Sequence, residues 1–177
     1  MRIAGGQYQG RIFNPDKKFT ARPTTDLAKE GLFNILENRY DFSEKTALDL
    51  FSGTGSIGYE FLSRGCSKVL LVEKDVHHYR FIREVLSTLK ITNAQVFRTD
   101  VFRFLLHCRE PFDFVFADPP FDFPFFNEVP EAVFKAGVVK KGGLFILEHP
   151  KEFNFSGLPG FQEIRKYGKV NFSFFEG

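Results

Sequence analysis

The sequence predicts an α/β fold, a mostly parallel sheet covered by helices on both faces, and three observations carry that prediction. Strand-like and helix-like segments alternate along the chain. The strand-like segments read as near-continuous apolar runs, as strands buried on both faces do. A glycine-rich loop joins the first of these strands to the helix after it.

Taken in order, "RIAGGQYQGRIF" gives two short extended segments around glycines, as a hairpin would. In "RPTTDLAKEGLFNILENRY", Thr24 or Thr25 is the N-cap and Asp26 sits in the positive first turn. Leu27, Leu32, Ile35 and Leu36 then form the apolar face of a helix over about 25–39. The strand "TALDLF" leads to a helix from about Ser56 to Arg64, and "KVLLVE" to a helix over about 75–89. "AQVFR" is followed by a short helix near 100–107, and "FDFVFA" by a helix near 126–136 and the strand "GLFILE". The tail breaks the alternation. "FQEIRKYG" and "NFSFFEG", around Gly168 and Lys169, read as a terminal antiparallel hairpin on the sheet edge.

Composition sets outer limits. With 177 residues, 43% hydrophobic and 26% charged, the chain reads as one ordinary globular unit. There is no Trp beside 25 Phe, so the core is built largely on phenylalanine. No apolar run approaches the roughly 20 residues that span a bilayer, and "MRIAGGQYQGR" lacks the apolar region of a signal peptide, which predicts a cytoplasmic protein. Cys66 and Cys108 have neither the spacing nor the histidine partners of a metal site, and none is predicted. His77, His78 and His107 are assigned no role, and His149 either borders the substrate cleft or, as is more usual, is a strand-end residue. Residues 1–22 hold five bases against one acid, a local +4 that leaves −2 on the rest of a chain of net +2. Arg2, Arg11, Lys17, Lys18 and Arg22 form either a phosphate-contacting arm or a merely solvated hairpin.

In such a sheet, ligands bind at the carboxyl ends of the strands. In "LDLFSGTGSIG", Gly53, Gly55 and Gly58 match G-x-G-x-x-G between strand and helix, while Tyr59 stands where a P-loop would carry lysine. Asp49 lies four residues before Gly53, inside the strand end. A carboxylate there suits a ligand ammonium better than a pyrophosphate, although a dinucleotide site stays open. Glu73 closes the next strand about 20 residues on, where an acid reaches ribose hydroxyls. Asp100, after the third, is placed either to accept from an adenine amino group or to cap a helix. "DPPF", residues 118–121, ends the fourth: Asp118 is an acceptor, Pro119 and Pro120 stiffen the turn and remove two donors, and Phe121 offers a ring for a flat base. Acceptors beside an aromatic face fit a base bearing an exocyclic amine.

"LDLFSGTG", "VEKD", Asp100 and "DPPF" resemble the class I S-adenosylmethionine-dependent methyltransferases. With "MRIAGGQYQGR", "ARPTTDLAKEGLFNIL" and the terminal "YGKVNFSFF", the chain is similar to the bacterial small-subunit ribosomal RNA guanine-N2 methyltransferases over almost its whole length. The resemblance implies a Rossmann-like fold with a seven-stranded sheet, S-adenosylmethionine as methyl donor, and a guanosine of 16S rRNA, within the small subunit, as acceptor. It divides the chain into a basic extension, 1–40, and a methyltransferase domain, 41–177. Asp49, Gly53 and Gly55 then meet the methionine part of the donor, Glu73 its ribose and Asp100 its adenine, with Phe51 among the same cofactor-binding residues. Asp118, Pro119, Pro120 and Phe121 hold the target base. Arg22, Thr24 and Thr25 border the cofactor and RNA sites, with Arg2, Arg11, Lys17 and Lys18 on phosphates. A monomer is expected. Adenine-N6 or cytosine-N4 methylation is the alternative activity, since the same turn fits those bases. Gly31 departs from the alanine usual in the family's helix, and "DFPFF" after the turn is unusually aromatic.

Overall fold

The computed structural model describes residues 1–15 and 25–177. Lys17, Lys18, Arg22 and Thr24 therefore lie outside the described residues. Strands β1 (Thr46–Leu50), β2 (Lys68–Glu73), β3 (Ala94–Arg98), β4 (Phe112–Ala117) and β5 (Val139–Pro150) run parallel, with β6 (Phe161–Tyr167) and β7 (Val170–Glu176) antiparallel at the β5 edge. The order is β3-β2-β1-β4-β5-β7-β6, a seven-stranded sheet as expected. The helices are α1 (Asp26–Glu37), α2 (Ser56–Ser63), α3 (Val76–Thr88), α4 (Val101–His107) and α5 (Val129–Ala136). None of these helices is long and apolar enough to cross a membrane.

Alternation along the central strands splits the core in two. Ala47, Val69, Leu71, Phe114, Phe116 and Ile146 face α1, α2 and α3. Leu48, Leu50, Leu70, Val72, Val115 and Phe145 face α4 and α5. Both faces are buried, which is why these strands read as unbroken apolar runs rather than alternating ones. The helices begin where side chains satisfy their free N–H groups: Thr25 caps α1, Asp75 caps α3 and Asp100 caps α4.

Three expectations need correction. Leu27 is 72% exposed; the buried face of α1 is Ala28, Lys29, Leu32, Phe33 and Leu36. Leu27 falls about 100° off the 28/32/36 row, outside the stripe that meets the sheet. Strand β5 begins at Val139, not at Gly143, because a bulge at its start lets Val139 pair with Phe112 before Leu144 pairs with Phe114. The N-terminal hairpin is reduced to a single bridge, Arg2 to Ile12, with a short 3-10 turn over Gly6–Tyr8 between its arms.

That arm is docked by buried charge. Glu60 of α2, fully buried, accepts from the Ala4 N–H at 2.7 Å and pairs with Lys29 Nζ of α1 at 3.1 Å and with Arg64. Lys29 is itself 1% exposed and donates to the Arg2 carbonyl. Arg64 also bonds Glu37 at 2.7 Å and lies 4.4 Å over the Phe33 ring. Every charge in the cluster has a partner, the condition under which burial of ions is tolerable.

Gly31 has a local cause. A Cβ there would overlap the Tyr167 ring of β6, so the ring packs directly on the backbone of α1. Gly31→Ala gains about 1 kcal/mol of helix propensity but forces an overpacking cost of about 1–3 kcal/mol. We expect Gly31→Ala to lower stability by up to about 2 kcal/mol in the wild-type background, and to raise it by about 1 kcal/mol in a Tyr167→Ala background, read by urea unfolding. Equal effects in both backgrounds would refute the steric account.

Candidate active site

The strand order reverses between β1 and β4, the place at which ligands bind in open sheets of this kind. Leu50 is in register with Ala117, and the Asp118 N–H donates to the Leu50 carbonyl at 3.4 Å. The glycine loop and the DPPF turn are therefore neighbours by backbone pairing.

The glycine loop is a run of left-handed residues. Phe51, Gly53 and Gly55 have φ of 58°, 54° and 78°. A phenylalanine at that angle is strained, and Ser52 holds it. The Ser52 hydroxyl donates to the Asp49 carbonyl at 2.7 Å and accepts from the Val72 N–H at 3.0 Å, while the Ser52 N–H donates to the Val72 carbonyl at 3.0 Å. Gly55 is needed for space as well, since a Cβ would come 2.8 Å from the Tyr59 hydroxyl. A Cβ on Gly58 would meet Leu71 at 2.5 Å, so this glycine lets α2 lie close on β2.

Three acids surround the loop. Asp49 is 1% exposed and accepts from the Gly58 N–H at 3.0 Å. Burial, and then the charge of Glu73, push its carboxyl up to about 8. Glu73 is also buried, so it is not the solvent-screened acid that a strand end often carries. It accepts from the Gly53 N–H and the Asp75 N–H, both at 2.7 Å, which ties the second strand end to the first loop. Asp100 caps α4, accepting from Phe102 N–H at 3.0 Å and Arg103 N–H at 3.3 Å, and its other oxygen lies 3.6 Å from Lys74.

His78 was not singled out by the sequence, and it belongs to this cluster. Its Nδ1 lies 3.7 Å from Glu73, and the adjacent carboxylate raises the imidazole above its ordinary pKa. The available signal was position: His78 sits three residues after the helix cap Asp75, on the turn that faces the strand end. The sequence distinguishes Tyr59 only as a non-lysine; its hydroxyl is buried against the loop with no hydrogen-bond partner among the described residues. His149 is a core residue, fully buried and bonded to Ser173 Oγ at 2.8 Å and to the Pro150 carbonyl at 2.8 Å.

In the DPPF turn Pro119 is buried, Pro120 exposed and Phe121 39% exposed. The aromatic residues that follow bind the loops together. Phe123 meets Phe51 at 5.4 Å and Phe102 at 6.0 Å between ring centroids, and Phe125 meets Phe102 at 6.3 Å. Asp49, Phe51, Gly53, Gly55, Glu73, Asp100 and the 118–121 turn thus share one sheet edge.

Of the residues assigned to RNA, Arg2, Arg11 and Thr25 are described. Arg2 is paired with Asp26 and Glu30, a structural engagement the sequence did not signal. Thr25 Oγ1 accepts from the Ala28 N–H at 3.3 Å as the cap of α1, and Arg11 is exposed.

The Asp49 carboxyl makes a pH prediction. Its folded pKa lies above the ordinary 3.8, so the folded protein holds a proton that the unfolded chain has released. This contribution to stability is complete below the ordinary value and is lost as pH rises toward about 8. Asp49→Asn is expected to flatten the stability profile across that window, measured by urea unfolding at intervals of pH. Identical slopes for the two proteins would remove the assignment.

Comparison with known proteins agrees with this fold. The family model described as conserved hypothetical protein 95 matches residues 1–176. The ribosomal RNA small subunit methyltransferase D of Escherichia coli K12 is 38% identical over 121 residues, 68% of this chain and 60% of that protein. Its namesake in Haemophilus influenzae is 34% identical over 156 residues, 86% of this chain and 80% of that one. The solved structure of a hypothetical protein from Thermus thermophilus superposes with a TM-score of 0.89 at 30% identity, covering 100% of this chain and 99% of that chain. The chain therefore belongs to the conserved hypothetical protein 95 family, with a Rossmann-like methyltransferase fold, and is a relative of the small-subunit ribosomal RNA methyltransferases D.

Proposed function

We propose that the protein transfers a methyl group from S-adenosylmethionine to the exocyclic N2 of a guanosine in 16S rRNA of the small ribosomal subunit. The observation that carries this reading is the pairing of β1 with β4, which sets an acid-lined glycine loop beside an acceptor-rich turn. The relatives' names supply the substrate class, ribosomal RNA of the small subunit.

The residues fit such a donor. A buried acid at Asp49 favours a ligand ammonium and disfavours the pyrophosphate of a dinucleotide. Left-handed Gly53 and Gly55 let backbone approach the ligand, and Glu73, oriented by Gly53, Asp75 and His78, accepts from ribose hydroxyls. Asp100 and Phe51 complete the cofactor side. When bound, the donor supplies a methyl carbon activated by its sulfonium sulfur.

On the acceptor side, Asp118 and the Pro119 carbonyl accept the hydrogens of the guanine amine, and Phe121 stacks on the base. These bonds turn a delocalised lone pair out of the ring plane and stabilise the positive charge that grows on nitrogen. The nitrogen–carbon bond forms as the carbon–sulfur bond breaks, and the surplus amine proton leaves to Asp118 or to water. Neither a metal nor a covalent enzyme intermediate enters this step. Arg11 and Thr25 contact the RNA in this reading, and the sequence adds Lys17, Lys18, Arg22 and Thr24, which lie outside the described residues; Arg2 also braces the arm against α1.

The test mixes purified protein, labelled donor and small subunits lacking the modification, and identifies the labelled nucleoside by mass spectrometry. N2-methylguanosine is expected, and Asp118→Ala should lower kcat by about 10²–10³-fold. Label on adenine N6 or cytosine N4 would replace the guanine assignment.

A further inference from the structure

Phe121 and Phe125 are the two most exposed phenylalanines among the described residues, at 39% and 51%, in a protein that buries most of the others. They stand four residues apart, on either side of a stiffened segment. Phe123 N–H donates to the Pro120 carbonyl at 2.8 Å, Phe126 N–H to the Phe123 carbonyl at 3.1 Å and Glu128 N–H to the Phe125 carbonyl at 3.0 Å, with Pro124 between the rings. The Phe125 ring is braced edge-to-face by two others, Phe102 at 73° and 6.3 Å and Phe123 at 75° and 5.9 Å. Next to it, Phe126 is buried and stacked on Phe153 at 4.5 Å. An ordinary apolar anchor turns inward; this one is fixed in place and left open.

The occupant follows from what must lie beside it. Four residues span at most about 14 Å, and the reverse turns shorten that, so a strand delivering a base to Phe121 carries its neighbouring nucleotide past Phe125. Single-stranded RNA is recognised by stacking unpaired bases on aromatic rings, a contact that any base can make. Arg103, the residue after Phe102, is exposed and makes no ion pair among the described residues, which leaves a cation for the backbone of that strand. We propose that Phe125 is a stacking platform for a nucleotide flanking the target guanine, a second base subsite built by the aromatic segment after DPPF. The inference rests on Phe121 being the ring beside the target base.

The experiment compares Phe125→Ala, Phe125→Leu and Phe125→Trp with wild type. Ala and Leu are each expected to raise KM for unmethylated small subunits about tenfold, Trp to restore it, and kcat and the Kd for S-adenosylhomocysteine to stay unchanged. Thermal unfolding checks that each variant is folded. An unchanged KM in Phe125→Ala, or a Leu variant equal to wild type, would overturn the proposal while leaving the methylation reading intact, since the latter case makes the ring simple apolar cover. If wild-type protein methylates no guanine, the reading of the target fails separately. The platform is then judged by fluorescence anisotropy with a labelled single-stranded RNA oligonucleotide, where equal affinity of wild type and Phe125→Ala overturns it.

Discussion

The constraint on which this molecule depends is the reversal of strand order beside β1. Strands on one side of it are laid down outward through β2 and β3, and on the other through β4 and β5. Because β1 pairs with both β2 and β4, three strand ends meet at one point and their loops cannot avoid one another. Everything chemical in the site is attached there. The acid-lined loop, the buried Glu73 and the turn at Asp118 are brought together by backbone pairing, before any side chain makes a choice.

Side chains then tune that meeting point. Ser52 joins β1 to β2 through two hydrogen bonds to Val72, which stabilises a left-handed Phe51. Glu73 reaches back to the Gly53 N–H, so the loop and the acid define each other's position. The result is two carboxylates close enough to disfavour joint ionisation, one nearly sealed from water and the other steadied by His78. Next to these acids the rings of Phe51, Phe102 and Phe123 pack on one another, which ties the loop after β1 to α4 and to the segment after DPPF.

Much of this was legible because local chemistry and tertiary need coincide. Apolar runs buried on both faces announced the central strands, and Thr25 and Asp100 marked helix starts by the same hydrogen bonds that cap them. The glycine loop and DPPF were readable for a similar reason: their residues are dictated by backbone geometry, which leaves a pattern at fixed spacing. What stayed hidden depends on pairing across the sequence. Lys29 and Glu60 look like surface charges, and only the approach of α1, α2 and the arm buries them. Arg2 looks like a cation for phosphate until α1 brings Asp26 and Glu30 beside it. His78 reads as one of two adjacent histidines, and the strand end that distinguishes them lies outside its own helix.

The contact between Gly31 and Tyr167 has a consequence for how this chain can vary. The first residue lies on α1 and the second on β6, near opposite ends of the chain, yet the ring occupies the volume a methyl group would need. A larger residue at 31 is sterically admissible only after the ring at 167 has shrunk or swung away. The two positions are therefore coupled: a methyl at 31 and a ring at 167 share one volume, and either can be enlarged freely only while the other stays small.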